Sequence, residues 1–242
     1  MDGPPDRPRS EARQRWRLVA RRSPEAPSLT QREVAEAWEA AVVASGLPVA
    51  FSDAARPRAR VSFGAPLPLG IAAEAELIDL VLAERLPAWR VRDALIGQLP
   101  DGWLLVDLYD VWPAGPPLAG RVVAADYRIV LEEDARGEIL ENAAGILLGS
   151  ATLPRDRPRG AETVRYDLRP LIVDLRVDPG PPVVVRTRTR FHPELGTGRP
   201  EEVLAALAEA ASYPLSPEAI VRERLILADD PDAPGPPAAT HD

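Results

Sequence analysis

Arg13-Gln14-Arg15-Trp16-Arg17-Leu18-Val19-Ala20-Arg21 alternates apolar and cationic side chains, with Trp16, Leu18 and Ala20 on one parity and Arg13, Arg15 and Arg17 on the other. A period of two is the signature of a β-strand with one face buried and one face polar. The period changes directly afterwards. Val34, Ala37, Trp38, Ala41 and Val42 recur at helical spacing, Ser28 or Thr30 can cap the start, and Gly46 with Pro48 closes the segment.

Reading outward, short strands are expected at Val49–Ser52 and Val61–Phe63, then a turn-rich Gly64–Gly70 and a strand over Ala75–Leu82. Val91, Leu95 and Leu99 share one helical face within Trp89–Leu99, which Pro100, Asp101 and Gly102 terminate; Leu104, Val106 and Leu108 alternate in the next strand. With the two short strands taken as one, the order is essentially βαββαβ, and it predicts a ferredoxin-like sandwich. Pro113-Ala114-Gly115-Pro116-Pro117 interrupts it and marks a boundary.

The second half repeats the order. Strands are expected at Tyr127–Leu131 and Thr163–Asp167, a helix at Gly137–Leu148, and a hairpin of Leu171–Val177 with Val183–Thr189. Val203, Leu207 and Ala210 mark a helix, and Val221–Leu227 a final strand. The expected fold class is therefore α+β, two tandem ferredoxin-like (βαββαβ) sandwiches at 13–112 and 120–228. The Pro-, Asp- and Ala-rich ends, 1–12 and 229–242, read as disordered tails.

At 242 residues, 45% hydrophobic and 27% charged, the chain can bury a sizeable core. No run approaches the ~20 apolar residues of a membrane helix and the N-terminus is polar, so a cytoplasmic protein without membrane contact is expected. The absence of cysteine excludes disulfides, zinc-thiolate sites, thiol nucleophiles and a self-ligated iron–sulfur cluster. All 29 basic residues are arginine, which a GC-rich coding sequence accounts for as well as selection for bidentate guanidinium pairing does. The net charge of −8 argues against a uniformly basic nucleic-acid binder, although it says nothing of how charge is distributed.

Legible catalytic chemistry is lacking. His192 and His241 are the two histidines, and His192, followed by Pro193 and Glu194, has no spacing that aims a second ligand or a nucleophile at it. Glu132 with Glu133, and Asp229 with Asp230, read as solvated edges. Gly196-Thr197-Gly198-Arg199-Pro200 enters a helix and could present N–H groups to an anion, but Pro200 removes one donor and Glu201 and Glu202 already answer the dipole. No catalytic residue, metal ligand or cofactor is expected of the chain itself.

Arginine at every second position is the most suggestive pattern: Arg13, Arg15, Arg17; Arg56, Arg58, Arg60; Arg186, Arg188, Arg190. In extended chain such residues share a face at a spacing of ~6.8 Å, close to the repeat of an extended nucleic-acid strand. The same combs would equally serve as a solvated sheet face paired with acids on neighbouring strands.

From about Gln14 onward the chain resembles the radical SAM-linked family, a domain of unknown function found beside or fused to radical SAM proteins. The resemblance rests on Arg15-Trp16-Arg17-Leu18, Ala37-Trp38-Glu39-Ala40, Gly46-Leu47-Pro48-Val49, Phe51-Ser52, Val61-Ser62-Phe63 and Pro66-Leu67-Pro68-Leu69-Gly70. It continues in Asp126-Tyr127, in Tyr166-Asp167-Leu168-Arg169-Pro170-Leu171-Ile172, and in Gly196 through Leu204. Where the family pattern has a Ser-His-Leu-Asp-like helix entry, this chain has Thr30-Gln31-Arg32-Glu33; a Gly-Phe-Asn-Pro-His-Pro-Arg-like loop is here Ala54 through Arg60, keeping Pro57 and Arg60. The resemblance implies a radical SAM partner, with RNA as a shared substrate. The leading expectation is thus an accessory protein that binds tRNA or rRNA, or presents it to the enzyme, through Arg56, Arg58, Arg60, Arg186, Arg188, Arg190 and Arg199. The alternatives are a protein–protein scaffold without nucleic-acid contact and, last, a hydrolase or transferase using carboxylates and His192.

Overall fold

The structure, a computed structural model, describes residues 11–159 and 162–237. It is a mixed α+β protein, mostly sheet, with four α-helices among the described residues. None of these helices is long and apolar enough to cross a membrane. The chain divides into two compact units between Arg121 and Val122.

The first unit contains β1 (Gln14–Arg22), α1 (Gln31–Ala44), β2 (Val61–Phe63), β3 (Ala72–Leu82), α2 (Ala88–Leu95) and β4 (Trp103–Val111). β1 pairs antiparallel with both β3 and β4, and β2 pairs antiparallel with β3. The alternation in β1 is what the structure uses. Trp16, Leu18 and Ala20 face a core shared with Ile78, Leu80 and Leu82 of β3, Trp103 and Leu108 of β4, Trp38 and Val42 of α1, and Val91 and Leu95 of α2. Trp38 is fully buried and stands edge-on to Phe63 and Trp103, with ring centroids at 6.4 and 5.3 Å. That perpendicular packing matches the ring quadrupoles.

The helix entry that departs from the family pattern is a capping box. Thr30 Oγ1 accepts from the Glu33 N–H while the Glu33 carboxylate accepts from the Thr30 N–H at 2.7 Å. At the other end Gly46 takes a φ of 70°, which the chain needs to leave the helix. α2 stops at Leu95 rather than Leu99, because the chain turns at Gly97, whose φ is 81°. Val49–Ser52 forms only two isolated bridges, Val49 to Leu82 and Phe51 to Ala59, and β3 starts at Ala72 rather than Ala75.

The second unit contains β5 (Val122–Leu131), α3 (Gly137–Gly149), β6 (Pro154–Arg159), β7 (Glu162–Asp167), β8 (Ile172–Asp178), β9 (Val184–His192), β10 (Gly196–Thr197), α4 (Pro200–Ala211) and β11 (Pro217–Leu227). Its sheet runs β11–β5–β9–β8, antiparallel throughout, with β10 also on β9. β6 and β7 form a separate hairpin. Ile129, Leu131, Leu175, Val177 and Val185 of the sheet pack on Leu140, Ala143, Ala144 and Leu147 of α3 and on Val203, Leu204 and Leu207 of α4. Those residues share one parity on each strand, so the other parity, which carries the charged residues of β5, β8 and β9, lies on the opposite face.

The C-terminal stretch differs from expectation. Instead of leaving the sheet at 229, the chain turns at Asp230, whose carboxylate accepts from the Leu227 N–H at 2.7 Å, and runs back over the arginines of β9 as far as Gly235. The Pro- and Asp-rich composition that suggested disorder supplies the carboxylates and carbonyls that those arginines hold. The N-terminal stretch through Ser10 and residues 238–242 lie outside the described residues.

Thr30→Ala, which breaks the reciprocal cap, is expected to lower stability by about 1 kcal/mol. The urea midpoint measures this, and Thr30→Ser should restore most of it.

Candidate anion-binding surfaces

Of the β1 comb, Arg15 and Arg17 are buried and turned onto one carboxylate. Arg17 lies directly opposite Asp79 in the β1–β3 register, and Arg15 reaches it diagonally from its place opposite Val81. Arg15 Nε donates to Asp79 at 2.7 Å and Arg17 Nε at 2.8 Å, with a second bond from Arg17 Nη2 at 3.1 Å. Arg15 also donates to the carbonyls of Gly115 and Pro116, both at 3.0 Å, tying the proline-rich loop to the strand. Burial pulls the Arg17 pKa down, but the hydrogen bond and charge of Asp79 outweigh it and hold the guanidinium above its ordinary value. Both cations are satisfied within the fold. Arg13, at the start of the comb, is exposed.

The second comb lies on exposed loop backbone. Arg58 pairs with Glu39 of α1 at 2.9 Å, while the side chains of Arg56 and Arg60 meet no hydrogen-bonding or ionic partner among the described residues. All three side chains are exposed, and Ala59 between them makes the isolated bridge to Phe51.

The third comb, on β9, follows the alternative of acids on neighbouring strands. Arg186 bonds Asp178 at 3.1 Å and Glu223 at 2.9 Å. Arg188 forks onto Asp126 at 2.7 and 2.9 Å and also holds the carbonyl and carboxylate of Asp232. Arg190 donates only to carbonyls, those of Pro170 at 3.3 Å and Gly235 at 2.6 Å. Burial lowers its pKa from the ordinary value.

Arg199, the remaining candidate, flanks a groove of about 580 Å³. The groove is lined by the hairpin residues Arg157, Val164, Arg165, Tyr166 and Asp167 on one side and by Pro193, Glu194, Leu195, Gly196 and Arg199 on the other. Arg157 stacks on the Tyr166 ring at 4.5 Å and is neutralised by Glu202 of α4 through bonds of 2.9 and 2.6 Å. Burial, with the Glu202 carboxylate nearby, pushes the Tyr166 hydroxyl up to about 12, so the ring stays neutral at physiological pH. Arg165 and Arg199 are exposed, and neither side chain has a hydrogen-bonding or ionic partner among the described residues. Gly198 is required here: a Cβ would stand 2.8 Å from that of Thr189 and 3.0 Å from the Leu171 carbonyl. Close packing against β9 therefore fixes where Arg199 enters the groove.

The sequence pointed to Arg199 but not to Arg157, Arg165 or Tyr166 as its neighbours. β6 is Pro-Arg-Asp-Arg-Pro-Arg, which carries no apolar alternation to betray a strand. The other candidates for chemistry are structural. His192 Nδ1 accepts from the N–H groups of Glu194 and Leu195, both at 3.2 Å, and so closes its own turn. His241 lies outside the described residues, among which no group of three or more His, Cys, Asp or Glu side chains could hold a metal ion.

The sequence profile of an uncharacterised protein family conserved in bacteria, DUF2344, matches residues 15–213. The chain belongs to this family. The matched span of DUF2344 takes in β1 and its Asp79-bound arginines, the exposed loop comb and the whole groove, and ends before β11 and the acidic segment that follows it. No curated protein matches the chain. A chain in the crystal structure of a Cbf5-Nop10-Gar1 complex is similar at a TM-score of 0.47 and 9% identity, over 86% of this chain. This chain spans about half, 49%, of the length of that one.

Asp79→Asn leaves Arg15 and Arg17 buried without a counter-charge, and is expected to destabilise the first unit by about 3–5 kcal/mol. A urea titration followed by tryptophan fluorescence reads this directly.

Proposed function

We propose that this protein is a non-catalytic accessory protein that binds RNA on behalf of a radical SAM enzyme, with its two units read as tandem ferredoxin-like sandwiches. The observation that carries the RNA reading is the groove of the second unit. It places two unpaired guanidinium groups, Arg165 and Arg199, beside the apolar side chains of Val164 and Leu195 and the Arg157-capped ring of Tyr166. Phosphate contacts with a flat, partly apolar floor are what an unpaired nucleotide needs, and a volume of about 580 Å³ is of the right order for one. Arg56 and Arg60 supply further unpaired cations on the first unit. A chain without cysteine cannot ligate an iron–sulfur cluster, which agrees with a partner that brings its own.

A protein scaffold is the second reading, favoured by one feature of the first unit. Along β4 and just beyond it Leu104, Val106, Tyr109 and Trp112 are exposed, Trp112 by 75%. Such an apolar row on a sheet suits a protein partner better than a nucleic acid.

The double variant Arg165→Ala/Arg199→Ala is expected to weaken binding of a labelled single-stranded oligoribonucleotide by about tenfold and to reduce the magnitude of the log–log salt slope by roughly 1.4. Fluorescence anisotropy across a salt series measures both. A nuclease-resistant complex with the enzyme, together with no oligonucleotide binding at low salt, would favour the scaffold.

A further inference from the structure

On the open face of the second sheet, Asp174 of β8, Arg188 of β9, Asp126 of β5 and Arg224 of β11 lie side by side in register. Asp126 sits between two arginines, bonded by Arg188 at 2.7 Å and by Arg224 at 2.9 Å. A second carboxylate, Asp232, lies on the same two guanidinium groups, held by Arg188 at 3.1 Å and by Arg224. The two acids differ in kind. Asp126 is fixed by the strand ladder and is 19% exposed; Asp232 belongs to the segment beyond the last strand and is 40% exposed.

That segment is held from the sheet side by arginines. Arg188 takes the Asp232 carbonyl at 2.8 Å and Arg190 the Gly235 carbonyl at 2.6 Å. The segment's own backbone bonds, Asp230 N–H to the Leu227 carbonyl and Ala233 N–H to the Asp230 carbonyl, close local turns. Without the segment the patch would hold Arg188, Arg190 and Arg224 with Asp126 between two of them, the neighbouring Asp174 being paired with Arg176. Arg188 and Arg190 stand two residues apart on one strand, at the ~6.8 Å repeat that suits successive phosphates of an extended strand.

We infer that Arg188, Arg190 and Arg224 form a phosphodiester-binding site that the chain's own acidic segment, Asp230 to Gly235, occupies in cis, with Asp232 in the place of a phosphate. The segment is an intramolecular competitor: RNA must displace it, so the apparent affinity is the intrinsic one reduced by the fraction of molecules in which the segment is off. This rests on the reading of the protein as an RNA binder, but the site is separate from the Arg165/Arg199 groove. Asp232 lies beyond the residues that match DUF2344, whereas Arg188 and Arg190 lie within them.

The test uses full-length variants and a labelled single-stranded oligouridylate in an anisotropy assay, with circular dichroism confirming the fold. Asp232→Asn is expected to tighten binding about fivefold. Glu133→Gln, the same change in net charge at an exposed residue, should leave it within about twofold. Adding Arg190→Ala to Asp232→Asn should remove the gain, and Arg165→Ala/Arg199→Ala should leave that gain in place while weakening both proteins. If Asp232→Asn acts no differently from Glu133→Gln, or if its gain survives Arg190→Ala, the masked site is overturned while the groove stands. If neither wild type nor Asp232→Asn binds at low salt, both readings fall together.

Discussion

Arginine paired with a carboxylate one strand away is the interaction on which this structure depends. In the first unit Arg15 and Arg17 converge on Asp79 from opposite and diagonal register positions. In the second, Arg188 and Arg224 flank Asp126. A guanidinium cannot shed its charge, so wherever a strand buries or half-buries one the neighbouring strand must present an acid or a carbonyl. Such pairs add little net stability over apolar replacements, yet breaking one leaves an uncompensated charge. They therefore act chiefly on register: a slip of one residue would turn Asp79 to the apolar face and leave both arginines without it.

The same requirement sorts the cations by what remains for a ligand. An acidic protein whose basic residues are all arginine has ample carboxylates to pair with, and Arg15, Arg17, Arg58, Arg157, Arg186 and Arg188 are paired. Among the described residues, Arg165 and Arg199 around the groove and Arg56 and Arg60 on the loop are some of those left over. Arg56, Arg60 and Arg199 stand on a loop or a helix entry, where no ladder places an acid opposite, while Arg165 lies opposite Asp156 in the β6–β7 hairpin without an ion pair to it among the described residues. The β9 comb is intermediate, since Asp178, Glu223 and Asp126 are built into the sheet while Asp232 lies on the segment beyond the last strand.

Much of the fold was legible because it depends on local pattern. The alternation of Trp16, Leu18 and Ala20 and the helical spacing around Trp38 identify β1 and α1 without tertiary information, and Gly46 and Pro48 mark the exit. Where expectation and structure part, the deciding contact is distant. Asp79 lies far along the chain from Arg15, as Asp126 does from Arg188, so the sequence could state that a comb faces either solvent or acids but could not choose. β7 was legible as the strand expected at Thr163–Asp167, but its partner β6 escaped notice because Pro-Arg-Asp-Arg-Pro-Arg carries no apolar alternation, and with it went the placing of Arg157 beside Tyr166. Gly198 was visible as part of a loop, but its close approach to Thr189 and Leu171 appears only when β9, the chain before β8 and the α4 entry are together.

The claim that the fold divides its arginines into held and free groups is tested most directly by nitrogen-resolved NMR of the guanidinium Nε–H groups, reading their exchange with water. The account predicts slow exchange for Arg15, Arg17 and Arg188, whose Nε–H groups point at carboxylates, and fast, averaged signals for Arg56, Arg60, Arg165 and Arg199. Exchange at Arg15, Arg17 and Arg188 as fast as at Arg165 and Arg199 would contradict it.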